Sequence, residues 1–165
     1  MLDVILIAHN LRSAHNVGSL LRTAEGLGVG KLWLTGYSPY PQGENDDRLP
    51  HLARKIDAQI AKTALGAETT LAWKHRQDII ALIADVKKAG YTVVALEQAP
   101  AAVSLPAFAA PPKIALIVGR EVAGIEPAVL ALCDFIVEIP MAGQKESFNV
   151  VQAAAMALYQ FRFKT

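Results

Sequence analysis

Apolar residues along this chain fall into runs of two kinds. Residues 4–8, 31–35, 91–96, 114–118 and 135–139 are largely apolar stretches of strand length, the profile of parallel strands buried on both faces. Between them the spacing turns helical: Val17, Leu20, Leu21, Ala24 and Leu27; Leu52, Ile56, Ile60 and Ala64; Ile79, Leu82, Ile83 and Val86; and the closing stretch 150–163. Gly28, Gly66 and Gly90 stop the first three, and Asn16 stands just ahead of the first. Residues 69–73 read as one more short strand, and 127–132 as a short helix with Pro127 in its first turn. The alternation predicts one α/β domain over residues 1–165, a mostly parallel sheet of five or six strands with helices on both faces.

The polar segments gather at one edge of that sheet. Residues 10–16, 119–124 and 143–149 each follow a strand's carboxyl end, where open α/β sheets bind ligands. In the last of them Pro140 ends the strand, Gly143 permits a turn, and Ser147 and Asn149 can cap the final helix or hold a ligand at its start. Arg22 lies off the centre of its apolar stripe, with Glu25 three residues on as a candidate partner. Residues 36–50 read as a mobile surface loop carrying Tyr37, Tyr40 and the acidic run 44–47. Arg48, His51, Arg54 and Lys55 then form a candidate basic edge, the two tyrosines are candidate stacking groups for bases, and Lys74-His75-Arg76 is a second basic cluster. Residues 99–112, rich in alanine and proline, read as a crossing loop anchored by Leu105 and Phe108.

Composition changes this picture little. With 165 residues, 53% of them hydrophobic, the chain suits one core, and a formal charge of +1 leaves any nucleic-acid contact to local patches. The single Cys133 excludes an internal disulfide and reads as a buried core thiol. No signal-like start and no apolar run of the roughly 18 residues a membrane span needs are present, so a soluble, cytoplasmic protein is expected. The turn after the first strand has no Gly-rich dinucleotide fingerprint, and no phosphate loop occurs. Ser147 has no nucleophile elbow around it, and His9, His15, His51 and His75 lack helical zinc spacing, so no metal is expected.

Three stretches taken together resemble the motifs of the SpoU or TrmH family of RNA ribose 2'-O-methyltransferases, in the SPOUT superfamily. They are NVGSLLRTAEGLG from Asn16 to Gly28, LIVGREVAG from Leu116 to Gly124, and IPMAGQKESFNV from Ile139 to Val150. The likeness runs from about residue 3 to 162, that of a minimal catalytic domain without an added RNA-binding extension. It implies a carboxy-terminal trefoil knot, S-adenosylmethionine as cofactor, and a homodimer with the active site near the subunit interface. It also gives the small residues Gly119, Gly124, Ala142 and Gly143 a purpose where backbones cross closely.

Position by position, the resemblance implies catalytic roles for Arg22, Asn16, Glu121, Ser147 and Asn149. Leu96, Gly119, Ile139, Met141, Ser147 and Phe148 fall at cofactor-lining positions. Arg12, His15, Arg48, Arg54, Lys74 and Arg76 are the expected RNA contacts. Arg120, Val151 and Phe148 depart from common family residues, which bears on cofactor contacts more than on reaction class. The expected reaction is methylation of a ribose 2'-hydroxyl in tRNA. An rRNA substrate, or a non-catalytic RNA- or cofactor-binding protein on the same fold, are the alternatives.

Overall fold

Strand β1 (Asp3–His9) divides its side chains between two separate cores: Val4, Leu6 and Ala8 enter one, Ile5 and Ile7 the other. That period-two division is what an unbroken apolar run requires when both faces of a strand are covered. The computed structural model describes residues 2–164. The other strands are β2 (Lys31–Thr35), β3 (Trp73–Arg76), β4 (Thr92–Leu96), β5 (Val103–Ser104), β6 (Lys113–Val118) and β7 (Phe135–Glu138). They form a seven-stranded sheet in the order β3-β2-β1-β6-β4-β7-β5, and every pairing between these strands is parallel.

Helices α1 (Ala14–Gly26), α2 (Pro50–Ala64), α3 (Ala67–Thr70) and α6 (Val150–Phe163) supply residues to the first core. Helices α4 (Ile79–Lys88) and α5 (Pro127–Leu130) close the second. The sheet is thus covered on both faces, as expected. In α6, Val150, Ala154, Ala157, Leu158 and Phe161 are the buried positions, a spacing of four, three, one and three that keeps one stripe inward.

Local chemistry moved several elements from their expected places. Helix α1 begins at Ala14 because the Ser13 hydroxyl accepts the Asn16 N–H at 3.1 Å, which puts Asn16 inside the first turn. Residues 67–70 form a helical turn where a strand was expected. Thr69 donates to Gly66 O and Trp73 Nε1 to Glu68 O, which closes that turn and starts the strand at Trp73. The basic cluster Lys74-His75-Arg76 is therefore the edge strand itself. The seventh strand, β5, lies in the crossing loop, whose anchors Leu105 and Phe108 do pack on the first core. Cys133 is half-buried, donates toward Val129 O at 3.4 Å, and has its thiol pushed up to about 11 by burial.

After β7 the chain turns back and α6 runs beneath the segment that follows β4. Gln160 Nε2 donates to Leu105 O, and the Phe108 and Phe161 rings lie 5.7 Å apart. At its far end Arg162 donates to the carbonyls of Leu2 (3.0 Å), Leu27 (3.2 Å) and Gly28 (2.5 Å), fastening the last helix to the first β-α unit.

Helices α1 and α2 meet at Gly18. The Thr63 hydroxyl passes over it to donate to His15 O at 2.7 Å, and a Cβ at Gly18 would overlap both Thr63 Oγ1 and Ile60 O. Alanine gains about 1 kcal/mol over glycine in helix propensity, whereas overpacking a tight contact costs roughly 1–3 kcal/mol. Gly18→Ala is therefore expected to lower the urea midpoint, with a net loss of up to roughly 2 kcal/mol; a midpoint at or above that of the unsubstituted protein would show that the helices can separate at no cost.

Candidate active site

The carboxyl ends of β1, β6, β4 and β7 bring the three polar loops together at one edge of the sheet. Asn16 joins them. Its Nδ2 donates to Glu121 Oε1 at 3.0 Å, and its Oδ1 accepts from Asn149 Nδ2 at 3.4 Å. Glu121 Oε2 also accepts the Arg12 N–H at 3.4 Å. Burial alone would push the Glu121 carboxyl up, but these hydrogen bonds outweigh it and hold the group below its ordinary value. Asn149 is the residue that caps α6, accepting the Val151 N–H at 2.9 Å, while the Ser147 side chain is exposed and bonds to no described residue.

Beside this junction lies a cavity of about 470 Å³. Leu96, Ile139, Met141 and Phe148 supply apolar walls, and Ser147, Glu97 and Gln98 are among the polar groups facing it. Gly119 is buried in the wall, where a Cβ would come within 2.6 Å of Ile125 Cγ1, so the backbone itself is the surface there. The cavity is thus of mixed character, with apolar side chains, bare backbone and several polar and charged groups converging on a space of small-molecule size. All six expected cofactor-lining residues border it. Arg120 also borders the cavity, where it donates to Gly124 O at 3.3 Å and lies 3.5 Å from Glu126.

Arg22 is not among the lining residues. It is exposed on α1, on the same face as His15, and forms no hydrogen bond or ion pair with a described residue, Glu25 included. Of the expected RNA contacts, Arg12, His15, Arg54 and Lys74 are likewise exposed. Two others are committed elsewhere. Arg48 donates to Asp46 Oδ1 at 2.8 Å and to the carbonyls of Tyr40 and Pro41, and it holds the Asp46 carboxyl well below the usual range. Arg76 is paired with Asp85 at 2.8 Å. Tyr40 is also unavailable for bases, because Arg48 covers one face at 3.6 Å and His75 stacks against the ring at 4.0 Å. These contacts pin the 36–50 loop that was expected to be mobile.

A second junction, unforeseen in the sequence, lies behind the first. His9 is buried, with Nδ1 2.9 Å from Thr35 Oγ1 and Nε2 3.1 Å from both Asn10 Nδ2 and Glu126 Oε2. Asn10 Nδ2 also donates to Glu126 Oε1 at 2.9 Å, and Asn10 Oδ1 accepts the Tyr37 N–H at 3.1 Å. Burial lowers the His9 pKa from 6.5 and Arg120 adds to that, against the opposing pull of Glu126. The ring is thus held between Thr35 on one side and Asn10 and Glu126 on the other, and Glu126 Oε2, which has no aligned hydrogen-bond donor among the described residues, faces Nε2. A Thr-His-Glu row invites a nucleophilic reading, but Thr35 is fully buried, so no substrate reaches it. The sequence signal was a polar residue directly after an apolar strand, a signal also carried by Glu97 after β4.

Because the folded His9 pKa lies below 6.5, the folded state binds fewer protons than the unfolded one in the interval between the two values. The stability it contributes is complete above about 6.5 and is lost as pH falls through the folded value. The depressed carboxylates, with ordinary values of 3.8 and 4.5, act at lower pH. Urea midpoints measured at pH 7.5 and 5.5 should fall for the unsubstituted protein and change less for His9→Gln; parallel declines would exclude His9 as the source.

Comparison with known proteins agrees with this geometry. Residues 3–159 match the model of the SpoU rRNA Methylase family. A protein of Staphylococcus haemolyticus assigned to the TrmH family of tRNA/rRNA methyltransferases is 28% identical over 96% of this chain and 58% of its own length. The chain thus spans little more than half the length of the curated relatives it matches. Among solved structures, the AdoMet-bound rRNA methyltransferase of Sinorhizobium meliloti matches with a TM-score of 0.80 at 20% identity, over 97% of this chain and 56% of that one. AviRb of Streptomyces viridochromogenes, in complex with AdoMet, gives 0.77 at 24% identity over 96% and 56%. The TrmH/SpoU tRNA-modifying enzyme of A. aeolicus gives 0.79 at 22% identity over 98% and 75%. The fold is the parallel α/β knot of the SPOUT methyltransferases, and the chain belongs to the SpoU rRNA Methylase family.

Proposed function

We propose that this protein methylates a ribose 2'-hydroxyl in RNA using S-adenosylmethionine, with tRNA the first substrate to test and rRNA the second. The observation that carries the reading is the Asn16 junction beside the cavity, because it unites residues of all three loops next to a nucleoside-sized slot. The relatives named above include enzymes of both tRNA and rRNA, and two are bound to AdoMet.

When bound, the cofactor supplies a methyl group on a sulfonium; the methyl passes to the ribose oxygen, the hydroxyl proton leaves, and a neutral thioether remains. Leu96, Ile139, Met141 and Phe148 would hold the nucleoside by apolar contact, and the Gly119 backbone would lie against it. Arg22 is assigned to the ribose and an adjacent phosphate, where its fixed fork steadies charge developing on the oxygen. A guanidinium keeps its proton at ordinary pH, so the proton leaves by way of phosphate or water. Asn16, Glu121 and Asn149 hold the loops in register, and Ser147, exposed at the cavity rim, orients the nucleotide.

Arg22 lies outside the cavity of its own chain, and this supports a homodimer in which one copy's arginine serves its partner's cofactor site. Tyr159 and Phe163, their rings 4.9 Å apart and exposed on α6, offer an apolar face for such pairing. Arg12, His15, Arg54 and Lys74 are the exposed groups left to meet phosphates. As for location, no helix among the described residues is long and apolar enough to cross a membrane.

Labelled methyl transfer to tRNA and rRNA, with cofactor affinity measured by calorimetry, tests the reading. Arg22→Ala is expected to reduce turnover by roughly 10²-fold or more, the scale of losing one charge-stabilising donor, while S-adenosylmethionine binds as before. Turnover close to that of the unsubstituted protein would remove Arg22 from the site.

A further inference from the structure

Two residues after β4, outside all three motif-like stretches, each grip a different wall of the cavity. Glu97 Oε2 accepts the N–H of Ile125, the residue directly after the second loop, at 2.9 Å. Its other oxygen accepts the Gln98 N–H at 2.9 Å, which fixes the plane of the carboxylate, and its own N–H donates to Val137 O at 3.0 Å. Gln98 Nε2 donates to Glu146 O, in the third loop, at 2.6 Å. Both side chains line the cavity.

The walls they hold have few other fastenings. Residues 142–149 are exposed throughout, and among the described residues the third loop's one hydrogen bond to the first is that of Asn149. The second loop is braced internally by Arg120 and tied outward by Glu121 and Glu126. Gly124 in that loop has φ +65°, and a Cβ there would overlap Glu97 Oε2 and lie 2.9 Å from Glu97 Cδ. The glycine is thus required twice, by its backbone conformation and by the carboxylate packed against it.

We infer that Glu97 and Gln98 are positioning residues that pre-form the cofactor pocket, Glu97 by seating the second loop on the end of β4 and Gln98 by seating the third. The inference rests on reading the cavity as an S-adenosylmethionine site. A ligand that needs both walls in place binds with an affinity scaled by the fraction of molecules in which they are in place. Releasing one wall lowers apparent affinity, whereas saturating cofactor draws the wall back and restores most of the maximal rate.

Calorimetry with S-adenosylmethionine on Glu97→Ala, Glu97→Gln and Gln98→Glu provides the test, with hydrogen exchange followed in residues 119–125 and 143–149. If the competent fraction falls to one molecule in ten, affinity falls about tenfold, the expected result for Glu97→Ala and Gln98→Glu. Glu97→Gln keeps an oxygen for the Ile125 N–H and should recover most of the loss. Exchange should quicken in the loosened loop and not in the central strands, and KM for the cofactor should rise more than kcat falls. Undiminished affinity in Glu97→Ala and Gln98→Glu overturns the inference alone, as does faster exchange spread evenly over the sheet. Failure of the unsubstituted protein to bind S-adenosylmethionine overturns the cofactor reading and this inference with it.

Discussion

A side-chain amide has one acceptor oxygen and one donor nitrogen, and Asn16 spends each on a different loop. Its nitrogen reaches Glu121, 105 residues away in sequence, and its oxygen receives Asn149, 133 residues away. The isosteric alternatives fail: aspartate would present oxygen to oxygen at Glu121, and leucine would bond to neither. Asn16 can do this because it stands in the first turn of α1, held by the Ser13 cap, and so has a fixed direction. The relation among the three loops, and the shape of the cavity between two of them, follows from that direction.

Around this junction the sheet's carboxyl edge repeats one device. A strand buried on both faces can carry no polar group until it ends, and there a polar residue reaches sideways to the next loop. His9 and Asn10 after β1 reach Glu126, Thr35 at the end of β2 reaches His9, and Glu97 after β4 reaches Ile125. Each link shields a polar group that would cost free energy if left unpaired away from water. Arg48 and Arg76 are paired with carboxylates of their own chain, whereas Arg12, Arg22, Arg54 and Lys74 are exposed without such a partner among the described residues. A net charge of +1 therefore understates the surface available to a polyanion.

Much of this was legible in the chain because burial on two faces leaves a strong pattern. Helix α6 spans the predicted 150–163, and β6 covers the predicted 114–118 with one more residue. Where pattern was weak, reading failed. Strand β3 lies at the sheet edge with its residues partly exposed, so no apolar run marked it, and Thr69-Thr70 drew its expected start four residues early. Strand β5 has only two residues and pairs only with β7, so nothing local distinguishes it from a loop. Asn16, Glu121 and Asn149 meet at the sheet edge where the three polar loops were expected to gather, but the committed state of Arg48 depended on a turn that lets residues two apart meet. Partnership, unlike residue type, is a property of the folded chain.

Ser147 and Asn149 show how one short segment divides its work. Both are residues that cap helices, and both precede α6, yet only the residue directly before the first helical position can present its oxygen to the free amides. Asn149 holds that place, so its Oδ1 goes to Val151 and only its Nδ2 is left for Asn16. Ser147, two residues earlier, is excluded from the cap by geometry and stays exposed on the cavity rim. The cap and the cavity wall are thus set by the same register. A shift of one residue at the start of α6 would take the amide from Asn16 and turn the helix's buried stripe by about 100°.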